Sequence, residues 1–544
     1  MRYDNGGDLL VAVLRELGID TVFGIVSVHN LPLVEAVERE LRFVPVRHEA
    51  SAVNAADAYG RARGSIGCAL TSTGTGAGNA AGSLIESLSA GSSVLHVTGQ
   101  VESEFLGSGR GFIHETKDQL GMLIAVSRHA ATVPDTALAG RILREAAQAA
   151  LSGPGGPGGP ASVEWPIDLQ YAPQTDGLVV PSLPAVTAPT DGELAAAAEL
   201  LASARRPIIW AGGGATGARG ELTRLLEATG AGLLTSNSGR GTVPEDHGQV
   251  IGNFATTPAA RALLADADVL LTIGTHFRSN ETADYTLKLP SAHIQIDIDA
   301  AALGRVYPVA HPLHGDAAPT LTALAAHATT AEPGWGERVR SVRDEVRAAL
   351  HDAIGPQAAI CDAIRAALPR EAVIARDVTI PSSSWGNRLL EMYDPRDNVF
   401  PRGGGIGQGL GMGIGAALAR PDAPTVVLAG DGGLAVHLGE LLTLAQERPR
   451  LTLIVFNDGG YGVLRNMQDR YSERRSGVDL VTPDFELLAR ACGLPYLRIA
   501  AEEHAVPVVF EAVASDGPTL VEVDLVALGP MKQPFTPPVR IPNR

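Results

Sequence analysis

The chain has 544 residues, which is too long for one hydrophobic core and indicates about three domains of ~150–200 residues each. Aromatic residues make up only 4% of the chain against 45% hydrophobic residues overall, so the cores are expected to be mostly aliphatic. The net charge of −17 argues against nucleic acid and against an anionic membrane as partners.

The cysteines and the N-terminal pattern predict a compartment. Cys68, Cys361 and Cys492 are far apart and odd in number, which indicates buried thiols in a reducing cytoplasm rather than disulfides or a zinc site. The first 20 residues have the pattern of an amphipathic helix, not of a signal peptide. No apolar run reaches the ~18–20 residues that a membrane span needs. We therefore expect a cytoplasmic protein.

The first segment, residues 1–172, alternates β-branched runs with helical stretches. The expected strands are TVFGIV, RFVPVR, IGCALTS and SVLHVTGQ, and the expected helix is EASAVNAADAYGRARG. A Gly/Pro-rich loop, SGPGGPGGP, leads into a last strand, and the Pro-rich stretch at 171–192 reads as a linker.

Two further segments repeat this alternation. Residues 188–330 contain the strand candidates PIIWAGGG, GLLTS, VLLTIG and HIQIDID, and HATTAEPGWGERV at 327–339 reads as a second linker. A third domain is expected at 350–530, followed by a Pro-rich tail at 531–544 that lies extended over a surface. The sequence thus predicts an α/β protein with three doubly wound parallel-sheet domains.

The third segment carries polar residues at the ends of two expected strands. Asp431 follows the strand TVVLAG, and Asn457 ends the strand LTLIVFN, with the helical pattern LAVHLGELLTLAQER between them. In parallel sheets the carboxyl edge of the strands binds ligands, and carboxylate and amide oxygens suit Mg²⁺ or Ca²⁺. The alternative is two ordinary strand-to-helix turns, since Asp, Asn and Gly favour turns.

The spacing of this motif resembles a known family. Gly430-Asp431-Gly432 followed 26 positions after Asp431 by Asn457 and NDGGYGVLRNMQ is similar to the signature of thiamine-diphosphate enzymes. The branch that it resembles contains the pyruvate oxidases, acetolactate synthases and benzoylformate decarboxylases. The resemblance implies that Asp431, Asn457 and the carbonyl of Gly459 hold Mg²⁺. It also implies cofactor contacts at Gly430, Asp431, Gly432, Gly433, Asn457, Gly459, Tyr461 and Gly462.

The resemblance extends over the first segment. It implies that the first domain binds the pyrimidine of the cofactor and that a middle domain and a diphosphate-binding domain follow. VRHEASAVNAADAYGRARG matches the stretch whose acid exchanges a proton with the cofactor's pyrimidine, which implies that role for Glu49. The residue-level alternative is a carboxylate favoured at a helix N-terminus. The glycine-rich turn TSTGTGAG adds Gly74 as a cofactor contact, and RGGGIGQG implies that Ile406 wedges under the cofactor.

The loop FGIVSVHNLP departs from the relatives. Acetolactate synthases tend to have Pro-Gly-Gly where this chain has Val26-Ser27-Val28, so His29 and Asn30 are candidates for the protein's own catalytic groups. His114, in GFIHETKDQ, is a further catalytic candidate, and His48 stands beside Glu49. Each of these histidines can instead have an ordinary structural role in the core or at the surface.

The middle segment contains Gly212-x-Gly214-x-x-Gly217, the spacing of a dinucleotide fingerprint. The acidic residue expected about 20 positions later is missing, and tight packing of the turn explains the glycines equally well. In the family this domain binds FAD, ADP or nothing, with Arg278 and Asp297 as candidate contacts here.

The resemblance implies a reaction type and an assembly. We expect decarboxylation of a 2-oxo acid, carboligation, or both, with thiamine diphosphate and Mg²⁺, in a homodimer or homotetramer whose sites join the first domain of one chain to the third of another. The FGIV start and the glycine at 411 leave open a 2-hydroxyacyl-CoA lyase or an oxalyl-CoA decarboxylase-like enzyme. A non-catalytic relative is the more distant alternative.

Overall fold

Three six-stranded sheets, each with all strands parallel, form the frame of the protein. The computed structural model describes residues 1–151, 158–177 and 187–537. The predicted α/β fold with three parallel-sheet domains is confirmed. Parts of the expected Gly/Pro-rich loop (152–157), of the first linker (178–186) and of the tail (538–544) lie outside the described residues. Within the described ranges, no helix is long and apolar enough to span a membrane.

The first sheet is built from buried β-branched and aliphatic runs. Its strands, in order across the sheet, are Arg42–Pro45, Thr21–Gly24, Gly67–Thr71, Val94–Gln100, Pro160–Pro166 and His129–Thr132. The helices around it are Gly6–Glu16, Leu31–Glu40, Glu49–Arg63, Thr75–Ala90, Gln119–Val126, Ala139–Leu151 and Ile167–Tyr171. A short antiparallel pair, Arg2–Tyr3 with Gln174–Thr175, ties the start of the chain to the end of this domain.

The middle sheet repeats the pattern. Its strands, in order across the sheet, are Val250–Gly252, Gly232–Thr235, Pro207–Ala211, Val269–Ile273, His293–Asp297 and His311–His314. Its helices are Asp191–Ala202, Arg219–Thr229, Pro258–Asp266 and Ala317–Ala325.

The predicted linker at 327–339 is wrong in its last part, because a 19-residue helix, Trp335–Ala353, begins there. The buried face of this helix repeats at helical spacing through Trp335, Val339, Val342 and Val346. The indole of Trp335 donates to the carbonyl of Pro207, 3.0 Å away, so the helix packs on the middle sheet.

The third sheet carries the motif at its centre. Its strands, in order across the sheet, are Asn398–Val399, Val373–Arg376, Thr425–Gly430, Leu451–Asn457, Thr519–Asp524 and Tyr496–Ile499. Its helices are Gln357–Ala367, Gly409–Ala419, Asp431–Leu434, Glu440–Glu447, Gly462–Tyr471, Phe485–Ala491, Ala505–Ala514 and Leu525–Leu528.

The structure describes two further parts of the third domain for which the sequence makes predictions, the helix between the motif strands and the tail. The single helix expected between the two motif strands is interrupted, since a 3₁₀ turn at Ala435–His437 separates Asp431–Leu434 from Glu440–Glu447. The described part of the tail lies extended over this domain, where the carbonyl of Phe535 accepts a hydrogen bond of 2.9 Å from Asn466.

The first and third domains meet through two helices, Glu49–Arg63 and Gly409–Ala419, which approach closely because one face of the second helix is glycine. A Cβ on Gly415 would lie 2.0 Å from the carbonyl oxygen of Ala55, and one on Gly411 would lie 3.3 Å from Asn54. The glycine at 411 therefore has a packing role in this interface. This interface fixes where Glu49 stands relative to the third domain.

We predict that Gly415→Ala destabilises the protein, because the added methyl group overlaps backbone atoms that cannot rotate away. Overpacking of this kind typically lowers the free energy of unfolding by about 1–3 kcal/mol. Gly192→Ala is the matched control, since it lies in the helix Asp191–Ala202 with no atom within 4 Å of the added Cβ. Thermal unfolding of the two variants tests the interface; equal melting temperatures would contradict this account of the packing.

Candidate active site

Asp431 and Asn457 stand side by side at the carboxyl edge of the third sheet. Asp431 opens the short helix after the strand Thr425–Gly430, and Asn457 is the last residue of the neighbouring strand. The register pairs Gly430 with Phe456, which brings the two residues together. A carboxylate oxygen of Asp431 accepts a hydrogen bond of 2.8 Å from the amide of Gly460, so the two motif loops are tied to each other.

The loop after Asn457 is shaped by glycines at two demanding positions. Gly459 and Gly460 have φ of 79° and 150°, which L side chains rarely adopt. A Cβ on Gly432 would lie 2.9 Å from the ring of Tyr461, so this tyrosine packs directly on the backbone beside Asp431. The conformation of this loop and the close approach of Tyr461 to Gly432 therefore depend on glycine at these positions.

Two carboxylates lie close together at this edge, of which Asp431 is buried and Asp458 is half-buried. Burial raises the pKa of Asp431, against hydrogen bonds from the amides of Gly432 and Gly460. Burial and the neighbouring Asp431 raise the pKa of Asp458 to about 6. One oxygen of Asp458 is buried without a hydrogen-bond partner among the described residues, and the guanidinium of Arg465 lies 3.6 Å from it.

These observations fit a divalent cation. The mutual repulsion of two neighbouring carboxylates is a feature that a bound cation relieves. The expected donor set of Asp431, Asn457 and the carbonyl of Gly459 is all hard oxygen, as Mg²⁺ prefers. In this structure the carbonyl of Gly459 accepts hydrogen bonds from the backbone amide of Leu480, 2.9 Å away, and from the guanidinium of Arg465, 3.2 Å away. Within the described ranges, no group of three or more His, Cys, Asp or Glu side chains is placed to hold a metal, so the set depends on an amide and a carbonyl.

Ile406 is presented by a loop that two carboxylates hold in place. The fully buried Asp377 accepts hydrogen bonds from the amides of Gly407 and Gly409, at 3.0 and 3.1 Å. Glu86, from the first domain, accepts from the amides of Gly403 and Gly405. The Ile406 side chain nevertheless remains 41% exposed. An apolar side chain on a pinned loop is thereby left available for contact with a ligand.

Glu49 is the first residue of the helix Glu49–Arg63, at the carboxyl edge of the first sheet. One of its oxygens accepts a hydrogen bond of 3.0 Å from the side-chain amide nitrogen of Asn79. A Cβ on Gly76 would lie 2.9 Å from the other oxygen, so a glycine is required there. His48 serves as the N-cap through an acceptor nitrogen 3.2 Å from the amide of Ala50, and its ring centroid lies 4.9 Å from that of His437. His48 thus has a structural task.

His29, His114 and Gly74 meet at the same edge of the first sheet. The ring centroids of the two histidines are 5.2 Å apart, and a Cβ on Gly74 would lie 2.5 Å from the carbonyl oxygen of His114. His114 has φ of 66°, a strained value for a residue that is not glycine. Among the described residues, neither ring nitrogen of His29 has a hydrogen-bond partner. Burial, then the charge of His114, lowers the pKa of His29, which is therefore neutral at pH 7.

Asn30 lies at this edge too, but its side chain is used by the fold. Its amide nitrogen donates to the carbonyls of Ile25 and Thr71, at 3.0 and 3.1 Å, and its oxygen accepts from the amide of Ser27. It is fully buried. Asn30 shapes the loop that carries His29, and its catalytic role stays a prediction.

The middle domain borders a cavity of about 730 Å³ shared with both other domains. The glycines of the fingerprint are packed against a second loop: a Cβ on Gly212 would lie 2.2 Å from the carbonyl oxygen of Gly274. A 3₁₀ turn follows them, and the α-helix begins only at Arg219. Arg278 and Asp297 line the cavity, where one buried oxygen of Asp297 has no hydrogen-bond partner among the described residues.

Three residues of these sites were not singled out from the sequence. Asp458 lies inside the motif NDGGYG, and Asp377 directly follows a buried strand, so the strand-end argument used for Asp431 would have found both. Glu86 lies on a helix of another domain, a position that carries no sequence signal for a role at this site.

Comparisons with known proteins agree with this arrangement. Three domain families match in order: the N-terminal TPP binding domain of thiamine pyrophosphate enzymes at 4–122, the central domain at 194–324 and the C-terminal TPP binding domain at 381–523. Thiamine pyrophosphate is another name for thiamine diphosphate. The three matches cover more than half of the chain and span both halves of the proposed site.

Several curated proteins are similar over nearly the whole chain. A probable 2-ketoarginine decarboxylase of Pseudomonas aeruginosa is 35% identical over 497 residues, covering 90% of this chain and 88% of that protein. The large subunit of acetolactate synthase from Parasynechococcus marenigrum is 30% identical, with 98% and 89% covered. The large subunit of acetolactate synthase isozyme 2 from Escherichia coli is 29% identical, with 98% of each chain covered. The predicted resemblance is confirmed: the chain belongs to the thiamine-diphosphate-dependent enzymes and is itself such an enzyme.

Proposed function

We propose that the protein decarboxylates a 2-oxo acid with thiamine diphosphate and Mg²⁺. The proposal is supported by what each sheet edge presents: Asp431 and Asn457 lie side by side at the edge of the third sheet, and Glu49 lies at the edge of the first. When bound, thiamine diphosphate supplies the nucleophilic carbon and the electron sink that the reaction needs.

In this proposal the third domain anchors the cofactor. Asp431, Asn457 and the carbonyl of Gly459 bind Mg²⁺, whose charge compensates both the neighbouring carboxylates and the diphosphate. Gly432 and Gly433 leave room beside Asp431, with Tyr461 closing the far side of Gly432. Ile406 packs against the cofactor and fixes the position of its rings, which is a contribution of proximity and orientation.

The first domain supplies the proton chemistry. Asn79 holds one oxygen of Glu49, which leaves the other oxygen to exchange a proton with the pyrimidine ring of the cofactor. His29 and His114 provide further proton-transfer groups where the substrate would meet the cofactor. The neutral His29 can accept a proton.

The wall around these histidines indicates a class of side chain on the substrate. His29, His114 and Phe112 form a row of rings, and Phe112 stacks on Phe105 with a centroid distance of 4.6 Å. Planar cations bind well to aromatic faces. Because one relative is named a 2-ketoarginine decarboxylase, we propose a guanidino 2-oxo acid as the first substrate to test.

We propose that the active site joins two chains, in a dimer or a tetramer. Both sheet edges expose apolar side chains that a partner would cover. Val28 and Ile113 are 60% and 64% exposed at the first edge, and Val436 and Leu464 are each 48% exposed at the third. Exposed apolar patches of this kind mark interaction surfaces.

The cavity beside the middle domain is proposed as a site for FAD or ADP. Arg61, Arg278 and Arg402 contribute positive charge to its lining, and the unpartnered oxygen of Asp297 suits a ribose hydroxyl. These features support an anionic nucleotide, although the glycine fingerprint itself is explained by loop packing.

The experiment that tests the function is a substrate panel with protein loaded with thiamine diphosphate and Mg²⁺. We expect CO₂ release from 5-guanidino-2-oxopentanoate, with the aldehyde as product. Pyruvate tests for carboligation, and CoA thioesters test for the lyase alternative. Turnover of CoA thioesters alone, or of none of these compounds, would contradict the proposal.

We predict that Glu49→Gln lowers the rate by about 10²–10⁴-fold, the usual contribution of a general acid or base. Glutamine has nearly the same shape, so cofactor affinity is expected to change little. The measurement is hydrogen–deuterium exchange at the thiazolium C2 of the bound cofactor, with Glu38→Gln, on an exposed helix face, as the control. Exchange as fast as in the unaltered protein would remove Glu49 from this role.

A further inference from the structure

One nearly buried carboxylate beside the motif is not part of the proposed ligand set. Glu522 lies in the strand Thr519–Asp524, next to the strand that ends at Asn457, and is 9% exposed. Within the described part of the chain, no Lys or Arg forms an ion pair with it. Buried carboxylates without a counter-charge are uncommon, because desolvation is costly unless strong hydrogen bonds replace water.

The hydrogen bonds of Glu522 run toward the proposed metal ligand. Its Oε1 accepts from the side-chain amide nitrogen of Asn457, 2.7 Å away, and its Oε2 accepts from the hydroxyl of Tyr496, 2.5 Å away. Burial and this hydrogen bond raise the pKa of Tyr496, so the hydroxyl stays protonated and remains a donor. Tyr496 thereby holds Glu522, and Glu522 holds Asn457.

This arrangement solves a problem specific to an asparagine ligand. A carboxamide has an oxygen end that binds a cation and an NH₂ end that repels it, and the two ends have almost the same shape. A carboxylate can only accept hydrogen bonds from its neighbour, so it fixes the NH₂ end on its own side. The oxygen of Asn457 then faces the loop, where it lies 3.3 Å from the amide of Gly459.

We propose that Glu522, supported by Tyr496, is a positioning residue that keeps the side-chain oxygen of Asn457 directed at the divalent cation. The inference rests on the metal site of the proposed function. It assigns this chain an acidic residue whose task is the orientation of a neutral ligand. Outer-shell partners of metal ligands typically contribute about 10–100-fold to metal affinity.

The first variant is Glu522→Gln. Tyr496 can donate to the new amide's oxygen, which turns the new NH₂ group toward Asn457 and draws the oxygen of Asn457 away from the metal. We expect the Mg²⁺ concentration for half-maximal binding of thiamine diphosphate, measured by calorimetry, to rise about 10–100-fold. Cofactor affinity at saturating Mg²⁺ is expected to stay close to that of the unaltered protein.

A second substitution separates orientation from general damage. Adding Asn457→Asp to Glu522→Gln replaces the amide by a group with two equivalent oxygens, which needs no orientation, so Mg²⁺ affinity should recover. In the presence of Glu522, Asn457→Asp should weaken Mg²⁺ binding, because two carboxylates then face each other. Asn457→Asp is thus expected to weaken Mg²⁺ binding when Glu522 is present and to restore it in Glu522→Gln. A merely structural role of Glu522 would not reverse the effect of Asn457→Asp in this way.

The control is another tyrosine–glutamate pair in the third domain, in which the glutamate, Glu391, also forms an ion pair with Arg347. The hydroxyl of Tyr393 donates to Glu391 over 3.0 Å, so Glu391→Gln should leave the Mg²⁺ requirement unchanged. Tyr496→Phe should raise the requirement less than Glu522→Gln does, and it tests the proposal even if Glu522→Gln unfolds. If Glu522→Gln leaves the Mg²⁺ requirement unchanged, or if adding Asn457→Asp does not restore Mg²⁺ affinity, the positioning role of Glu522 is overturned while the metal site still stands. Cofactor binding that is independent of Mg²⁺ in the unaltered protein would overturn the metal site as well.

Discussion

One geometric constraint places the functional residues of this protein: parallel strands all end at the same edge of their sheet. Residues far apart in sequence, such as Asp431 and Asn457, become neighbours because the strands before them are paired in register. The same constraint gathers His29, Glu49 and Gly74 at the edge of the first sheet. Each edge carries one part of the chemistry, oxygen ligands in the third domain and proton transfer in the first.

Around these edges, the local backbone depends on glycine. Glycines with positive φ, and glycines against which Tyr461 or Glu49 pack, lie beside the reactive oxygens. Carboxylates then hold the loops by accepting backbone hydrogen bonds, as Asp377 and Glu86 do for the loop of Ile406. Glu522 acts in the same way on a side chain, because it accepts a hydrogen bond from Asn457 and thereby fixes the direction of that side chain.

Much of this frame could be predicted from the sequence, because its strands are short, β-branched and followed by polar residues. The motif residues Asp431 and Asn457 were found on that pattern. The interrupted helix after Asp431 was not, since it depends on a tertiary contact in which His437 lies 2.8 Å from the carbonyl oxygen of Gly407. The sequence predicts a linker over the first turn of the helix Trp335–Ala353, because Pro333 and Gly334 precede it. The contact of Glu86 with the loop of Ile406 joins distant parts of the chain and has no local signature.

The central claim is that the two sheet edges complete one active site between two chains. The direct test is complementation: chains with Glu49→Gln and chains with Asp431→Ala, each inactive alone, are given different tags and purified as a mixed dimer. One of its two sites then combines an intact Glu49 with an intact Asp431, so about half the activity of the unaltered dimer should return. A mixed dimer no more active than either variant alone would contradict the claim, because each site would then be completed within a single chain.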